Sequence, residues 1–271
     1  MKVVSPSDGI HQWQRNVIKL ERYIYQNRGV DITLVGSSLI AKIDVANIGS
    51  NAINLGLSGG NSQTGLEIVK RKKKPPSKIL VEISDTIQKS IDYKLVHNIY
   101  QPGWYWLRLY FPIFRQEYRP VSVLVNYLRN TSKNNRTLTD DEQDKREMTS
   151  DRLRKKIIQN YVNQYAKKIT PEKRDKLISE AKHLKKQIAE FQKAGVRVIL
   201  FNVPIDSELE NTMMQREIRE LLRSLFPPST CEWLPEPPSE DWITYDGFHL
   251  IHSSAKKYAL FLKDQIVKNG W

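Results

Sequence analysis

Ser38 stands at a turn marked by glycine, at the end of the apolar run Ile32-Thr33-Leu34-Val35-Gly36-Ser37 and just before Leu39. At the other end of the chain, Asp246 and His249 lie three residues apart in Tyr245-Asp246-Gly247-Phe248-His249-Leu250, ahead of the last helical stretch. A serine hydroxyl is a weak nucleophile until a base takes its proton, and an imidazole is a better base when a carboxylate orients it. The three residue types can supply nucleophile, base and orienting acid if the fold brings both ends of the chain into one cleft. Taken singly, each has a plainer use. A Gly-Ser-Ser turn can cap a helix, His249 can start the last helix, and Asp246 can shape a turn.

The elements between them have the rhythm of an α/β protein. Apolar positions Trp13, Val17, Leu20, Tyr23 and Ile24 recur at helical spacing and predict a helix over 10–27. Strands are predicted at 31–36, around Ala52-Ile53-Asn54-Leu55, at 78–83 and at 196–203, with helices at 63–72, 207–225 and 253–268. A short strand is expected near 231–234. Near-continuous aliphatic strands separated by helices indicate a parallel sheet covered on both faces. In such sheets ligands bind beyond the carboxyl ends of the strands, and Ser38, Gly59, Ser84 and Asn202 all fall at or just after such ends.

The middle of the chain breaks this rhythm. Residues 100–127 hold nine aromatics interleaved with Arg108, Arg115 and Arg119. Such a segment can cap its own core, wall a substrate cleft, or anchor at a lipid headgroup layer. Pro102, Gly103, Pro112 and Pro120 cut it into pieces too short for one membrane-lying helix. Residues 131–150 read as a polar loop. Residues 150–194 read as helical, with Thr170 as N-cap, Pro171 at the first helical position and Gly195 past the end. The whole is predicted as a single domain over 1–271 with an insertion at 88–194.

Composition sets outer bounds. Of 271 residues, 39% are hydrophobic, enough for a real core. The single cysteine, Cys231, rules out an internal disulfide framework, and the histidines form no metal constellation. His11, His97 and His183 lie in unrelated settings, and His252 reads as a surface residue of the last helix. The net charge of +13 is concentrated at 70–74 and along 145–197. Solvated helix faces explain it most simply, and an anionic polymer or membrane surface is the partner class it suits. Charge alone would support nucleic-acid binding, and no recognition motif accompanies it. The first nine residues are polar, so there is no signal peptide; this points to the cytoplasm, unless an anchor precedes the sequence.

Four short blocks in order along the chain resemble the SGNH (GDSL-type) hydrolase superfamily. Gly36-Ser37-Ser38-Leu39 stands where the family has Gly-Asp-Ser-Leu, so Ser38 matches its nucleophile and Ser37 replaces the usual aspartate. Asn54-Leu55-Gly56-Leu57-Ser58-Gly59 matches the second block, with Gly59 on the glycine whose N–H serves the oxyanion hole. Asp246-x-x-His249 matches the last. The third block departs: the family has Gly-x-Asn-Asp, and this chain reads Glu82-Ile83-Ser84-Asp85, without the oxyanion-donating asparagine. Ser84, or Asn202 from strand four, is the expected substitute. One lost donor costs about 10²–10³ in rate, which also leaves room for a non-catalytic descendant.

The resemblance implies a flavodoxin-like three-layer parallel sheet with a helical, aromatic-rich insertion between strands three and four. It implies a cofactor-independent esterase or O-acyltransferase with Ser38, His249 and Asp246 as its triad, acting on O-acyl, chiefly O-acetyl, groups of a carbohydrate.

Overall fold

The computed structural model describes residues 7–25, 29–118, 139–147, 150–238 and 242–271. Five strands form one all-parallel sheet: β1 (Ile32–Gly36), β2 (Ala52–Gly56), β3 (Lys78–Glu82), β4 (Arg197–Phe201) and β5 (Glu232–Trp233). Their order, β2-β1-β3-β4-β5, is that of the flavodoxin-like doubly wound fold. Helices cover both faces. On one side Leu34, Leu80, Ile199 and Phe201 meet Ala255, Tyr258, Ala259 and Leu262 of the C-terminal helix His252–Lys268. On the other, Gly65 of α2 (Ser62–Lys70) lies against Val35, and the long helix Pro171–Lys193 packs on α2 and β4. Alternation along each strand sends neighbouring aliphatic residues to opposite layers, so both layers draw on the same short runs.

The chain divides into two compact units, and the boundary differs from the insertion read in the sequence. One unit holds residues 1–28 with 92–138; the other, 29–91 with 139–271, contains the sheet. Helices Asp140–Glu147, Asp151–Tyr165 and Pro171–Lys193 therefore belong to the sheet unit. In the smaller unit, α1 (Ser7–Tyr25) packs with the helix Tyr93–Tyr100, burying Val17, Leu20, Leu95 and Ile99. There Glu21 and Arg108 form a buried ion pair at 3.4 Å, and Glu21 also accepts the Gln116 N–H at 2.7 Å.

Three expectations are corrected. The polar stretch 131–150 is not all loop: Thr139 and Glu142 form a reciprocal cap, with Glu142 N to Thr139 Oγ1 3.3 Å and Thr139 N to Glu142 Oε2 2.8 Å, opening the helix Asp140–Glu147. The predicted helix 207–225 is two, Ser207–Glu210 and Met213–Leu225, because Thr212 turns extended (ψ 154°) between them. The aromatic segment caps its core only in part: Tyr105 packs on the buried Tyr25 ring at 5.7 Å, while Trp104, Trp106, Tyr110 and Phe111 are exposed. Residues 119–127 of that segment, and 131–138 and 148–149 of the polar stretch, lie outside the described residues.

A buried asparagine ties the chain after β1 to β2. The Asn54 amide donates to the carbonyls of Ile40 (2.6 Å) and Ile43 (2.8 Å), while its oxygen accepts the Gly56 N–H (2.6 Å). Removing it strands three buried backbone groups, at about 1–3 kcal/mol each before relaxation. Asn54→Ala is expected to lower stability by about 2–4 kcal/mol, read as a fall in the urea midpoint at unchanged slope. A loss no larger than that of an exposed asparagine would show the tie to be dispensable.

Candidate active site

Register decides what meets what. Gly36 pairs with Gly56 across β1 and β2, Val35 with Val81 across β1 and β3, and Glu82 with Phe201 across β3 and β4. Four strands thus end at nearly one level, and the turns carrying Ser38, Gly59, Ser84 and Asn202 all leave from that edge.

The last loop meets this edge through a tight turn. Thr244 and Leu250 form an antiparallel bridge, the Tyr245 N–H donates to the His249 carbonyl at 3.0 Å, and Gly247 takes a positive φ of 96°. Inside the turn, Asp246 Oδ1 accepts the N–H groups of Phe248 (3.0 Å) and His249 (2.8 Å). Its other oxygen lies 2.7 Å from His249 Nδ1. One carboxylate therefore holds both the backbone and the ring. The opposite ring nitrogen, Nε2, lies 2.9 Å from Ser38 Oγ. With Nδ1–H donating to Asp246, Nε2 carries the lone pair that accepts the serine proton. Burial alone would raise the Asp246 pKa. The hydrogen bond and charge of His249, with the two backbone N–H groups, outweigh it and hold the carboxyl below the usual aspartate range.

Neighbours brace the imidazole. The Tyr245 ring stacks on it at 5.3 Å and 16°, with Lys42 Nζ 4.2 Å from the Tyr245 centroid. Phe248 is held edge-on by Tyr161, at 5.1 Å. Arg154 donates to the Thr244 carbonyl at 2.5 Å and pairs with Asp206 at 3.2 Å, while the Asp206 N–H donates to the Gly247 carbonyl at 2.9 Å. Residue 154 lies in the basic region read as solvated; it instead buttresses the histidine loop.

The four remaining site residues divide. Gly59 has φ +73° in the turn before α2, and among the described residues neither its N–H nor that of Ser38 donates to a protein acceptor. Ser84 and Asn202 line a cleft of about 60 Å³ with Leu39, Ile83, Ile218 and Phe248. Both side chains already have partners there. The Ser84 hydroxyl donates to Glu82 and lies 2.8 Å from that of Thr86, and the Asn202 amide donates to Glu236 at 3.2 Å. Among the described residues no cluster of His, Cys, Asp or Glu is arranged to hold a metal ion.

The sequence reading passed over Glu82, which is fully buried at the end of β3. One carboxyl oxygen accepts the Ser37 N–H at 2.5 Å and the other the Ser84 hydroxyl, so it links the turn bearing Ser38 to the turn after β3. The signal was there: an acid ending an otherwise aliphatic strand of a two-sided sheet must find donors inside. Burial pushes its pKa up, against the hydrogen bonds of Ser84 and Ser37.

Family models give no match to this chain, and neither do curated proteins. A solved chain from Streptococcus pneumonia, provisionally described as a platelet activating factor, is similar over 97% of this chain and 94% of its own, at 10% identity and a TM-score of 0.47. A likeness that distant carries no argument about activity.

Because the folded pKa of Glu82 is raised, its contribution to stability is complete below the unfolded value of about 4.3 and is lost as pH rises through the folded one. Glu82→Gln removes that ionisation. The melting temperature of the variant is expected to gain on the wild type steadily with rising pH. Parallel curves across the pH range would show that folding leaves the Glu82 pKa unchanged.

Proposed function

We propose that this chain is a serine-dependent esterase of the SGNH (GDSL-type) kind, with Ser38 as nucleophile, His249 as base and Asp246 as orienting acid. One observation carries the reading: His249 is hydrogen-bonded at one ring nitrogen to Ser38, 211 residues away, and at the other to Asp246. Capping a helix or shaping a turn would not require that line of contacts.

The chemistry follows from the atoms. The Ser38 proton passes to His249 Nε2 as Oγ attacks the ester carbonyl, and Asp246 stabilises the imidazolium. The oxyanion turns towards the N–H groups of Ser38 and Gly59. Collapse breaks the ester bond, and the leaving alkoxide takes the proton from Nε2. Water then repeats the sequence on the acyl-enzyme, releasing a carboxylic acid and free Ser38; a sugar hydroxyl in place of water makes the same site an O-acyltransferase. The small cleft beside Leu39 and Phe248 suits a short acyl group such as acetyl. A carbohydrate as the alcohol part is what the family resemblance implies.

A second reading, a non-catalytic protein that binds an anionic polymer or membrane surface through its basic helices, is favoured by one observation. The side chains of Ser84 and Asn202, the substitutes for the third-block asparagine, are engaged with Glu82 and Glu236.

Turnover of p-nitrophenyl acetate decides between them. Ser38→Ala and His249→Ala are each expected to lose about 10⁴-fold or more in kcat, and Asp246→Asn about 10⁴-fold, with folding unchanged. Full turnover by Ser38→Ala would remove it as nucleophile. A stoichiometric burst without turnover would identify the transferase, and silence in both readouts would favour the binding protein.

A further inference from the structure

One stretch of the smaller unit carries its largest apolar side chains outward. Pro102–Tyr110 is a helix and Pro112–Phe114 a short 3₁₀ turn, and between Pro102 and Phe114 the sole charged residue is Arg108. Arg108 is turned inward, onto Glu21. The apolar residues face out: Trp104, Trp106, Tyr110, Phe111, Ile113 and Phe114 are each 40% to 69% exposed. They form joined clusters rather than scattered points, with Phe114 6.4 Å from both Trp104 and Phe111, and Trp106 stacked on Tyr110 at 6.2 Å. Nine of the fourteen exposed large hydrophobics among the described residues belong to this unit, so the apolar surface is concentrated there. Exposed aromatic clusters of this kind mark an interaction site.

We propose that this face seats the protein on the headgroup layer of an anionic lipid bilayer. Two properties select that occupant. Tryptophan and tyrosine, apolar in body and polar at one edge, favour the boundary between headgroups and acyl chains. The chain also carries a net charge of +13, which draws it to an anionic surface and sets two copies of it against each other. Among the described residues no helix is long and apolar enough to cross a membrane. The aromatic face supplies insertion, and the basic charge supplies approach. None of this depends on the Ser38 site being active.

The test is flotation of the full chain with phosphatidylcholine vesicles, with and without phosphatidylglycerol, alongside the triple variant Trp106→Ser, Phe111→Ser, Ile113→Ser. These side chains are exposed, so the variant is expected to keep the wild-type circular dichroism and melting temperature. The wild type should float with anionic vesicles and shift its tryptophan emission to the blue. Each lost apolar side chain should weaken partitioning by roughly tenfold, which abolishes flotation in the triple variant. Three results would each overturn the proposal: no flotation of the wild type with either vesicle; equal flotation of wild type and variant; or a self-associated wild type that ignores vesicles beside a monomeric variant.

Discussion

The contact between His249 and Ser38 depends on the parallel strands ending together. The pairing of Gly36 with Gly56 and of Glu82 with Phe201 sets β1 to β4 at one level, so their outgoing turns converge. A slip of one residue in β1 would move Ser38 by about 3.3 Å and turn its neighbours to the opposite face, which a 2.9 Å contact with His249 could not survive. The two-sided hydrophobic core enforces the register. Leu34 meets the C-terminal helix while Val35 lies against α2, and a slip of one residue would exchange the two layers.

Glu82 and Asp246 show the same fold imposing opposite fates on two carboxyls. Asp246 sits in a half-buried turn where a histidine and two backbone N–H groups favour its charged form. Glu82 lies in the sheet interior, with donors from Ser37 and Ser84 but no cation among its hydrogen-bond partners, and burial dominates. The first arrangement keeps an imidazole oriented. The second joins the turn bearing Ser38 to the turn after β3. The glutamate engages the Ser84 hydroxyl, so that proton is not available to a second acceptor.

The two compact units use aromatic residues for contrasting ends. In the sheet unit, Tyr245 packs against the His249 imidazole and Phe248 against Tyr161, gripping a loop that has little regular structure of its own. In the smaller unit Trp104, Trp106, Tyr110, Phe111 and Phe114 face solvent, while the ion pair Glu21–Arg108 is buried. Hydrophobic pattern alone does not separate these cases, because proline-broken aromatic runs have no period that points to an inside.

The sequence by itself determined the sheet, the strand order of events along the chain and the triad candidates. Short aliphatic runs ending at Gly36, Gly56 and Glu82 are strands whatever surrounds them, and Asp-x-x-His closes its own turn through local hydrogen bonds. Those are properties of neighbours a few residues apart. Tertiary structure alone decided that His249 reaches Ser38, that Arg154 braces the histidine loop, that Glu82 fastens the turn bearing Ser38, and that Trp104, Trp106 and Tyr110 face outward. Each of these joins residues distant in sequence, and their contacts depend on strand register and on which face each helix buries. No local propensity encodes such a contact; it exists only once the layers have packed.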